Sequence, residues 1–357
     1  MRSKVYFIKV NNSDNIEVIK KKFALLLDKS DTLGFIRKDD LAVVKMHFGE
    51  EGNTGFVKPE YVRLACDRIL QKQATPVLSD TNTLYRGRRT NSKDHLKIAR
   101  EHGFTKESTG AEVAIPDETK KKNVAKVALN GKFIKSAKIV KAFLDADAIV
   151  DIAHFKGHIM TGFAGVLKNV GMGCATREGK LAQHSDVSPI VHPDNCVGCG
   201  ACKKVCPVKA ITIKDRKSHI DAKICIGCAS CIAVCNYYAI DVNWDAGGVT
   251  IQEKMIEYAK AVLKDKTEKA AFINFAIKIT KECDCLAKDD PRIAPDIGIF
   301  ASRDPVSCDK AALDLTIAES KIDIFKEAHP NRDGLRQLNY AAEIGLGNLD
   351  YELINLL

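Results

Sequence analysis

Eight of the thirteen cysteines follow a spacing that occurs twice in the chain. Residues 195–213 align without a gap with residues 224–242, and each copy reads C-x2-C-x2-C-x3-C. In such a repeat, three thiolates of one copy and the last thiolate of the other copy hold each [4Fe–4S] cluster. The pattern therefore predicts two [4Fe–4S] clusters that transfer single electrons. The expected ligands of the first cluster are Cys196, Cys199, Cys202 and Cys235, and those of the second are Cys225, Cys228, Cys231 and Cys206.

The alternative chemistry for these cysteines is a pair of zinc sites. Zinc ribbons seldom use eight cysteines at a duplicated spacing, which favours iron–sulfur clusters. Gly198, Gly200 and Gly227 would let backbone N–H groups approach the sulfur atoms. Proline follows the fourth cysteine of the first copy, whereas Asn236 stands at that place in the second. We therefore expect the packing around the first cluster to differ from that around the second.

The composition is that of a globular protein whose cysteines bind metal or carry electrons. Of the 357 residues, 45% are hydrophobic and 28% are charged, which is enough for a sizeable core. Residues 1–10 lack the apolar segment of a signal peptide, and no apolar run approaches the roughly 20 residues of a membrane helix. We therefore expect a cytoplasmic protein without a membrane span, in which disulfides are not the role of the cysteines.

The net charge of +9 includes short basic runs at residues 20–22 and 120–122. No aromatic residues are interleaved with these lysines, and no nucleic-acid-binding motif accompanies them. A few exposed lysines provide only weak, salt-dependent contacts with phosphates. We expect no specific nucleic-acid partner, and the positive charge instead suits an acidic redox partner protein.

Strand-like and helix-like segments alternate on both sides of the cysteine repeat. The expected strands include residues 5–10, 41–48, 76–79, 148–153, 270–277 and 297–301. Alternation of this kind predicts an α/β fold with a mostly parallel sheet that helices cover on both faces. Residues 139–146 are expected to form one of these helices. The repeat is expected to form an inserted α+β ferredoxin-like domain at residues 189–244, between two parts of the α/β domain at residues 1–188 and 245–357.

Four segments outside the repeat resemble a known protein family. They are GEEGNTGF (49–56), DTNTLYRGRR (80–89), HFKGHIMTGFAGVLKNVGMG (154–173) and REGK with a following histidine (177–184). Together they resemble the family catalogued as domain of unknown function 362, over essentially the whole chain. The resemblance implies an α/β protein, in many members with a two-cluster ferredoxin insert at this place, and it implies no particular reaction.

Polar side chains follow several of the expected strands. In open parallel sheets, ligands bind outside the carboxyl ends of the strands, so we expect these residues to meet at one crevice. The catalytic candidates are His47, Asp80, His154, His158 and Lys168, accompanied by the arginines at 86, 88 and 89 and by residues 302–304. Turn capping, loop hydrogen bonding and close helix–strand packing remain open as alternative roles for them. The arginines suit a carboxylate or a phosphate, although a solvated loop explains them equally well.

Three of the five cysteines outside the repeat lie in loops at this same edge: Cys174, Cys283 and Cys285. Two interpretations stay open. They form a third site for a metal or an additional cluster, with an incomplete coordination shell that leaves room for substrate. Alternatively, the C-x-C pair consists of ordinary loop thiols, and Cys174 packs beneath the glycine turn at residues 171–173.

Three functions are compatible with the sequence. In the first, the clusters exchange electrons with a small molecule or cofactor at the sheet edge, as in an oxidoreductase of unknown substrate. In the second, the α/β domain docks another redox enzyme. In the third, the protein is a non-redox assembly factor or sensor. A buried pocket lined by His47, Asp80, His154 and Lys168 would favour the first function.

Overall fold

Strands and helices alternate along the residues that the computed structural model describes, which are 2–85, 87–184, 188–225, 227–242 and 250–356. Within these ranges the strands are β1 (Ser3–Lys9), β2 (Leu41–Lys45), β3 (Thr75–Ser79), β4 (Glu112–Ala114), β5 (Val124–Ala128), β6 (Ser136–Val140), β7 (Ala148–His154), β8 (Lys156–His158), β9 (Gly162–Ala164), β10 (Ile190–Val191), β11 (Ile211–Lys214), β12 (Lys217–Ile220), β13 (Ile240–Asp241), β14 (Ala270–Ala276), β15 (Gly298–Ser302) and β16 (Tyr351–Asn355).

The α-helices of the described ranges are α1 (Ile16–Ser30), α2 (Pro59–Gln71), α3 (Ser92–Glu101), α4 (Lys106–Thr109), α5 (Lys141–Asp145), α6 (Val166–Gly171), α7 (Arg177–His184), α8 (Ala201–Val205), α9 (Ser230–Val234), α10 (Thr250–Leu263), α11 (Pro305–Ser320), α12 (Ile324–Ala328) and α13 (Leu335–Glu343). Local sequence explains where several of them begin. At α11, for example, the Asp304 carboxylate accepts hydrogen bonds from the N–H groups of Val306 and Ser307, and proline occupies the first helical position. None of the described helices is long and apolar enough to cross a membrane.

One central sheet contains eight of the described strands, in the order β16-β1-β15-β14-β7-β2-β3-β4. The block from β14 to β4 is parallel throughout, and β16 is parallel to β1. Strand β15 runs antiparallel to both of its neighbours. The predicted α/β fold with a mostly parallel sheet is therefore confirmed, and the edge strand β16 is an addition to the expected strands.

Helices cover both faces of the sheet. Successive residues of a strand point to opposite faces, so each central strand contributes to two cores. In β7, Ile149 and Ala153 belong to the core that contains α6, α10 and α11. Val150 and Ile152 belong to the core on the other face, which contains α1 and α2.

Two sequence predictions about this domain are wrong. Residues 139–146 do not form one helix, because the alternating segment Ser136–Val140 pairs with β5 as a hairpin and only α5 is helical. Residues 302–304 lie at the opposite edge from the predicted crevice, because β15 is antiparallel. The Arg303 guanidinium accordingly donates to the carbonyl of Ala270, at the start of β14, over 2.6 Å.

The cysteine repeat forms a small unit whose core also includes Leu84 and Leu181 from outside the repeat. It contains the two-stranded sheets β10-β13 and β11-β12, and the helices α8 and α9 occupy matching positions in the two copies. Gly200 and Ala229, which precede these helices, both have left-handed backbone conformations. The boundary predicted at residues 244 and 245 lies outside the described residues, so the domain limits stay a prediction.

Candidate functional site

The eight cysteines of the repeat surround two small cavities. One is lined by Cys196, Cys199, Cys202 and Cys235 and the other by Cys206, Cys225, Cys228 and Cys231. Each cavity thus combines three cysteines of one copy with the last cysteine of the other, which is the grouping that the spacing predicts. Four sulfur atoms around an enclosed space are the donor set that a [4Fe–4S] cluster requires.

Backbone N–H groups point at the sulfur atoms in equivalent ways in both copies. The N–H of Ala210 donates to Cys206 Sγ over 3.2 Å. At the matching position of the second copy, the N–H of Ala239 donates to Cys235 Sγ over 3.3 Å. Such donors favour a thiolate over a thiol, because they stabilise negative charge on sulfur. Gly198 has a φ of 71°, and a Cβ there would lie 2.6 Å from the carbonyl oxygen of Arg216, so the first loop needs glycine.

A larger cavity of about 470 Å³ lies at the carboxyl ends of β2, β3 and β7. Four of the five catalytic candidates line it: His47, Asp80, His158 and Lys168. The lining also carries six basic side chains: Lys45, Arg89, Lys156, Lys168, Lys180 and Arg332. Asp80 is the single carboxylate among the described lining residues. This excess of cationic groups suits an anionic ligand.

A second groove, of about 920 Å³, lies at the opposite ends of the strands, near Ala270 and Arg303. It is larger, but its described lining contains neither cysteine nor histidine. Because the chemistry-bearing side chains converge at the carboxyl edge, the smaller cavity is the better candidate for a functional site.

Lys45 and Asp80 form a buried ion pair on the cavity wall. Lys45 Nζ lies 3.1 Å from Asp80 Oδ1 and donates to Asn169 Oδ1 over 2.7 Å. Burial by itself would raise the pKa of Asp80, but Lys45 and the other nearby cations hold it below its usual value. The carboxylate is therefore ionised and fixes the position of the lysine.

Arg89 connects two further polar residues to this wall. Its Nε donates to Glu50 Oε2 over 3.2 Å, and its Nη1 lies 2.9 Å from His47 Nε2. Burial and the charge of Arg89 hold the pKa of His47 well below its usual value. His47 is therefore neutral near pH 7, and both of its ring nitrogens already face protein donors, Nε2 facing Arg89 and Nδ1 the N–H of Gly49. Of the other predicted arginines, Arg88 pairs with Glu101 on the surface, and Arg86 lies outside the described residues.

His154 does not line the cavity. Its Nδ1 lies 2.9 Å from Asp284 Oδ1, and its Nε2 lies 3.1 Å from the carbonyl oxygen of Ile277. Lys156 Nζ lies 3.3 Å from the other Asp284 oxygen. Burial alone would raise the pKa of Asp284, but the charges of His154 and Lys156 hold it below its usual range. His154 therefore contacts the loop that carries the C-x-C pair and not the cavity.

Cys283 and Cys285 are brought together with His158. Each of these residues offers one ligand atom, and the three atoms lie within 4.8 Å of one another. Cys174, which the sequence grouped with the C-x-C pair, is instead fully buried in the apolar core with Ala175. Lys168 Nζ lies 3.8 Å from Cys283 Sγ. A hydrogen bond from Cys285 and the charge of Lys168 lower the pKa of Cys283.

The insertion contacts the wall of the large cavity. Leu84 and Tyr85 line the cavity and also pack in the core that contains Cys231. Arg177 Nη2 donates to the carbonyl oxygens of Ala229, over 2.8 Å, and of Leu84, over 3.2 Å. Arg177 therefore links the loop of the second cysteine set to the wall of the cavity.

Sequence reasoning missed several of these residues. Lys45 could have been found, because a lysine that ends an otherwise apolar strand is buried and needs a partner. Lys180 donates to Thr81 Oγ1 over 2.6 Å, and burial lowers its pKa to about 8. Its only sequence signal was its place in the REGK segment. Nothing in the sequence marked Leu84 as a contact of the insertion.

Fold and site together define an α/β protein with a cysteine-rich segment next to a cationic cavity. The sequence matches the family described as "Domain of unknown function (DUF362)" over residues 42–314. The chain belongs to this family.

Short and distant similarities accompany this match. Ferredoxins of Streptomyces griseus and Mycolicibacterium smegmatis are each 64% identical over 25 residues, which are 7% of this chain and 24% of the ferredoxin. The chain thus spans about a quarter of the length of the curated relatives it matches.

Two solved structures are also similar. A structural-genomics protein from Thermotoga maritima has 13% identity, a TM-score of 0.45 and coverage of 88% of this chain and 61% of its own. The lactate racemase apoprotein from Thermoanaerobacterium thermosaccharolyticum has 14% identity and a TM-score of 0.39. The match covers 77% of this chain and 51% of the racemase. With TM-scores below 0.5, neither similarity carries an argument about fold or function.

Proposed function

We propose that this protein is an iron–sulfur redox protein that exchanges single electrons with a small anionic molecule in the cationic cavity. Two [4Fe–4S] clusters are assigned to the two cysteine sets, and their chemistry when bound is one-electron transfer. The observation that carries the proposal is the grouping of the eight cysteines around two enclosed spaces, one of which packs against the cavity wall.

The two cysteine sets suit different roles. Cys199, in the first set, is the most exposed of the repeat cysteines. Val197 and Tyr237, which line the same small cavity, are also exposed. This surface suits contact with an external redox partner protein. The second set lies toward the cavity, because Arg177 binds the carbonyl oxygens both of Ala229, beside that set, and of Leu84, in the cavity wall. Electrons therefore enter or leave at the first set, and the second set serves the cavity.

The cavity residues have separate tasks in this proposal. Lys168 and Arg89 bind the anion, since ammonium and guanidinium groups pair with carboxylates and phosphates. His47 positions the Arg89 guanidinium, and His158 lies beside the thiols of the C-x-C pair. Asp80 holds Lys45 in place. His154 is a positioning residue that fixes the loop of Asp284. A cavity with these groups favours an oxidoreductase over a protein that only docks another enzyme.

The cofactor content tests this proposal directly. Anaerobically purified protein is expected to contain about eight iron atoms and about eight sulfide ions per chain. It should show a broad absorption band at about 400 nm that is lost on reduction. The variant Cys199→Ser is expected to lose up to about half of the iron, because one of four ligands to one cluster is gone. The matched control is Cys66→Ser, which removes a thiol buried in α2 and is expected to retain the full iron content. Stoichiometric zinc without labile sulfide would contradict the proposal.

Anion binding by the cavity gives a second expected result, for which inorganic phosphate is the probe. At about ten times its Kd, phosphate stabilises a protein by about 1.4 kcal/mol, which raises the Tm by about 2–5 °C. In Lys168→Met we expect at least about tenfold weaker binding, because the cationic partner is gone. Lys264→Met is the control, since Lys264 lines the other groove. Equal phosphate-dependent shifts in both variants would exclude the cavity as the anion site.

A further inference from the structure

Cys283 and Cys285 remain without a role in the proposed electron-transfer function, although both line the cavity. We propose that they form a reversible disulfide, so that the protein contains a two-electron thiol centre beside the anion site. In the oxidised state a bond joins the two Sγ atoms, and in the reduced state each sulfur carries a proton.

The geometry brings the two sulfur atoms to the same place. They lie within 4.8 Å of each other, and a disulfide would bring them to a bonding distance of about 2.05 Å. Asp284 between them points the other way, into its buried contacts with His154 and Lys156. This clamp holds the backbone of the loop while the side chains on either side change state.

Alternatively, His158, Cys283 and Cys285 could bind a metal ion. Two observations argue against a metal at this place. His158 Nδ1 accepts hydrogen bonds from the N–H groups of Met160, over 3.1 Å, and Thr161, over 3.2 Å. In a neutral ring the proton then resides on Nε2, so neither nitrogen has a free lone pair for a cation. The second observation is Lys168, whose ammonium group lies 3.8 Å from Cys283 Sγ. A cation at this distance repels a metal ion but stabilises a thiolate that forms when a disulfide opens.

The S–S bond breaks when the disulfide takes up two electrons and two protons, and two thiols form. The electron donors are of the iron–sulfur class, each giving one electron, and in this respect the inference rests on the proposed function. Tyr85 lies between the two centres, because it packs against the core of the insertion and its hydroxyl donates to the carbonyl oxygen of Cys285 over 3.3 Å. The pair would thereby convert single-electron transfer into two-electron chemistry on a bound anion.

Thiol mapping tests the inference without any activity measurement. The purified holoprotein is treated with diamide, alkylated anaerobically and digested, and the peptides are identified by mass spectrometry. We expect Cys283 and Cys285 to resist alkylation as a pair after oxidation and to become fully alkylated after treatment with dithiothreitol. Cys285→Ser should leave Cys283 alkylated under both conditions, and Cys66→Ser should behave like the wild type. Free thiols at both positions after diamide would overturn the proposal.

An electron count separates failure of this inference from failure of the proposed function. Reductive titration of oxidised wild type is expected to consume about four electron equivalents, and that of Cys285→Ser about two. About two equivalents in both proteins, with full iron content, would reject the disulfide while leaving the clusters intact. Absence of iron and sulfide would reject the proposed function, and the thiol map would still decide the disulfide. A stoichiometric metal other than iron that Cys285→Ser loses would also overturn the inference in favour of a metal site.

Discussion

Substitution of Asp284 by alanine is expected to lower the free energy of unfolding by about 3–5 kcal/mol, because it leaves the buried Lys156 ammonium without its counterion and the buried His154 ring without its partner. The Asp284 side chain is fully buried, and it contacts His154 Nδ1 at 2.9 Å and Lys156 Nζ at 3.3 Å. Both partners are themselves nearly inaccessible to water. Since domains are stable by only about 5–15 kcal/mol, a loss of this size is a large share of the total.

The measurement is urea unfolding of the holoprotein at neutral pH, followed by circular dichroism. Asp289→Ala is the matched control, because Asp289 belongs to the same segment but forms an exposed pair with Lys278, worth about 0–1 kcal/mol. Replacing Asp284, His154 and Lys156 together by apolar residues should recover much of the loss. Equal stability of the Asp284 and Asp289 variants would show that the buried cluster does not hold the loop.

The Asp284 carboxylate also determines how the stability of the protein changes with pH. The pKa of Asp284 in the folded protein is lower than in the unfolded chain, against the effect of burial, because His154 and Lys156 favour the ionised form. Its stabilising contribution is therefore complete at neutral pH and is lost as the pH falls below about 4. Asp284→Ala should show a weaker dependence of stability on pH in that acidic range than the wild type.

Removal of the iron–sulfur clusters is expected to unfold the insertion and to leave the α/β domain folded. The buried residues in the core of the insertion are few, and two of them are the proposed ligands Cys202 and Cys231. Leu84 and Leu181 in the same core belong to the α/β domain. A unit of this size buries too little apolar surface to fold alone, so the free energy of cluster binding becomes its folding free energy.

Hydrogen exchange measures this effect segment by segment. After oxidative removal of iron with a chelator, we expect protection of β11 and β12 to fall at least about 100-fold, which corresponds to a loss of about 3 kcal/mol of local stability. Protection of β7 and β14 is expected to stay unchanged, because their side chains lie in the two separate cores of the α/β domain. Unchanged protection of β11 and β12 would mean that the insertion folds without clusters, contrary to the proposal.

Local sequence indicated most of the elements and the expected grouping of the repeat cysteines. Buried strands such as β7 are mostly apolar, and the residues of α2 and α11 carry their own start signals. A duplicated short spacing leaves few ways to arrange four sulfurs around one space, so the spacing alone predicts the two sets. The carboxyl edge was also predictable, because strands separated by helices are parallel.

Tertiary structure decided what lies at that edge. Strand β15 has the same apolar character as the parallel strands of the sheet, and only its antiparallel pairing shows that residues 302–304 point away from the cavity. His154 and His158 are equally plausible in sequence, yet one binds Asp284 and the other lines the cavity, because they lie on different strands, β7 and β8. Cys174 follows α6 and is buried in the apolar core, away from the C-x-C pair. Spacing along the chain governs which residues share a loop, whereas contacts between segments over 100 residues apart, such as that of Lys168 with Cys283, exist only after the sheet has assembled.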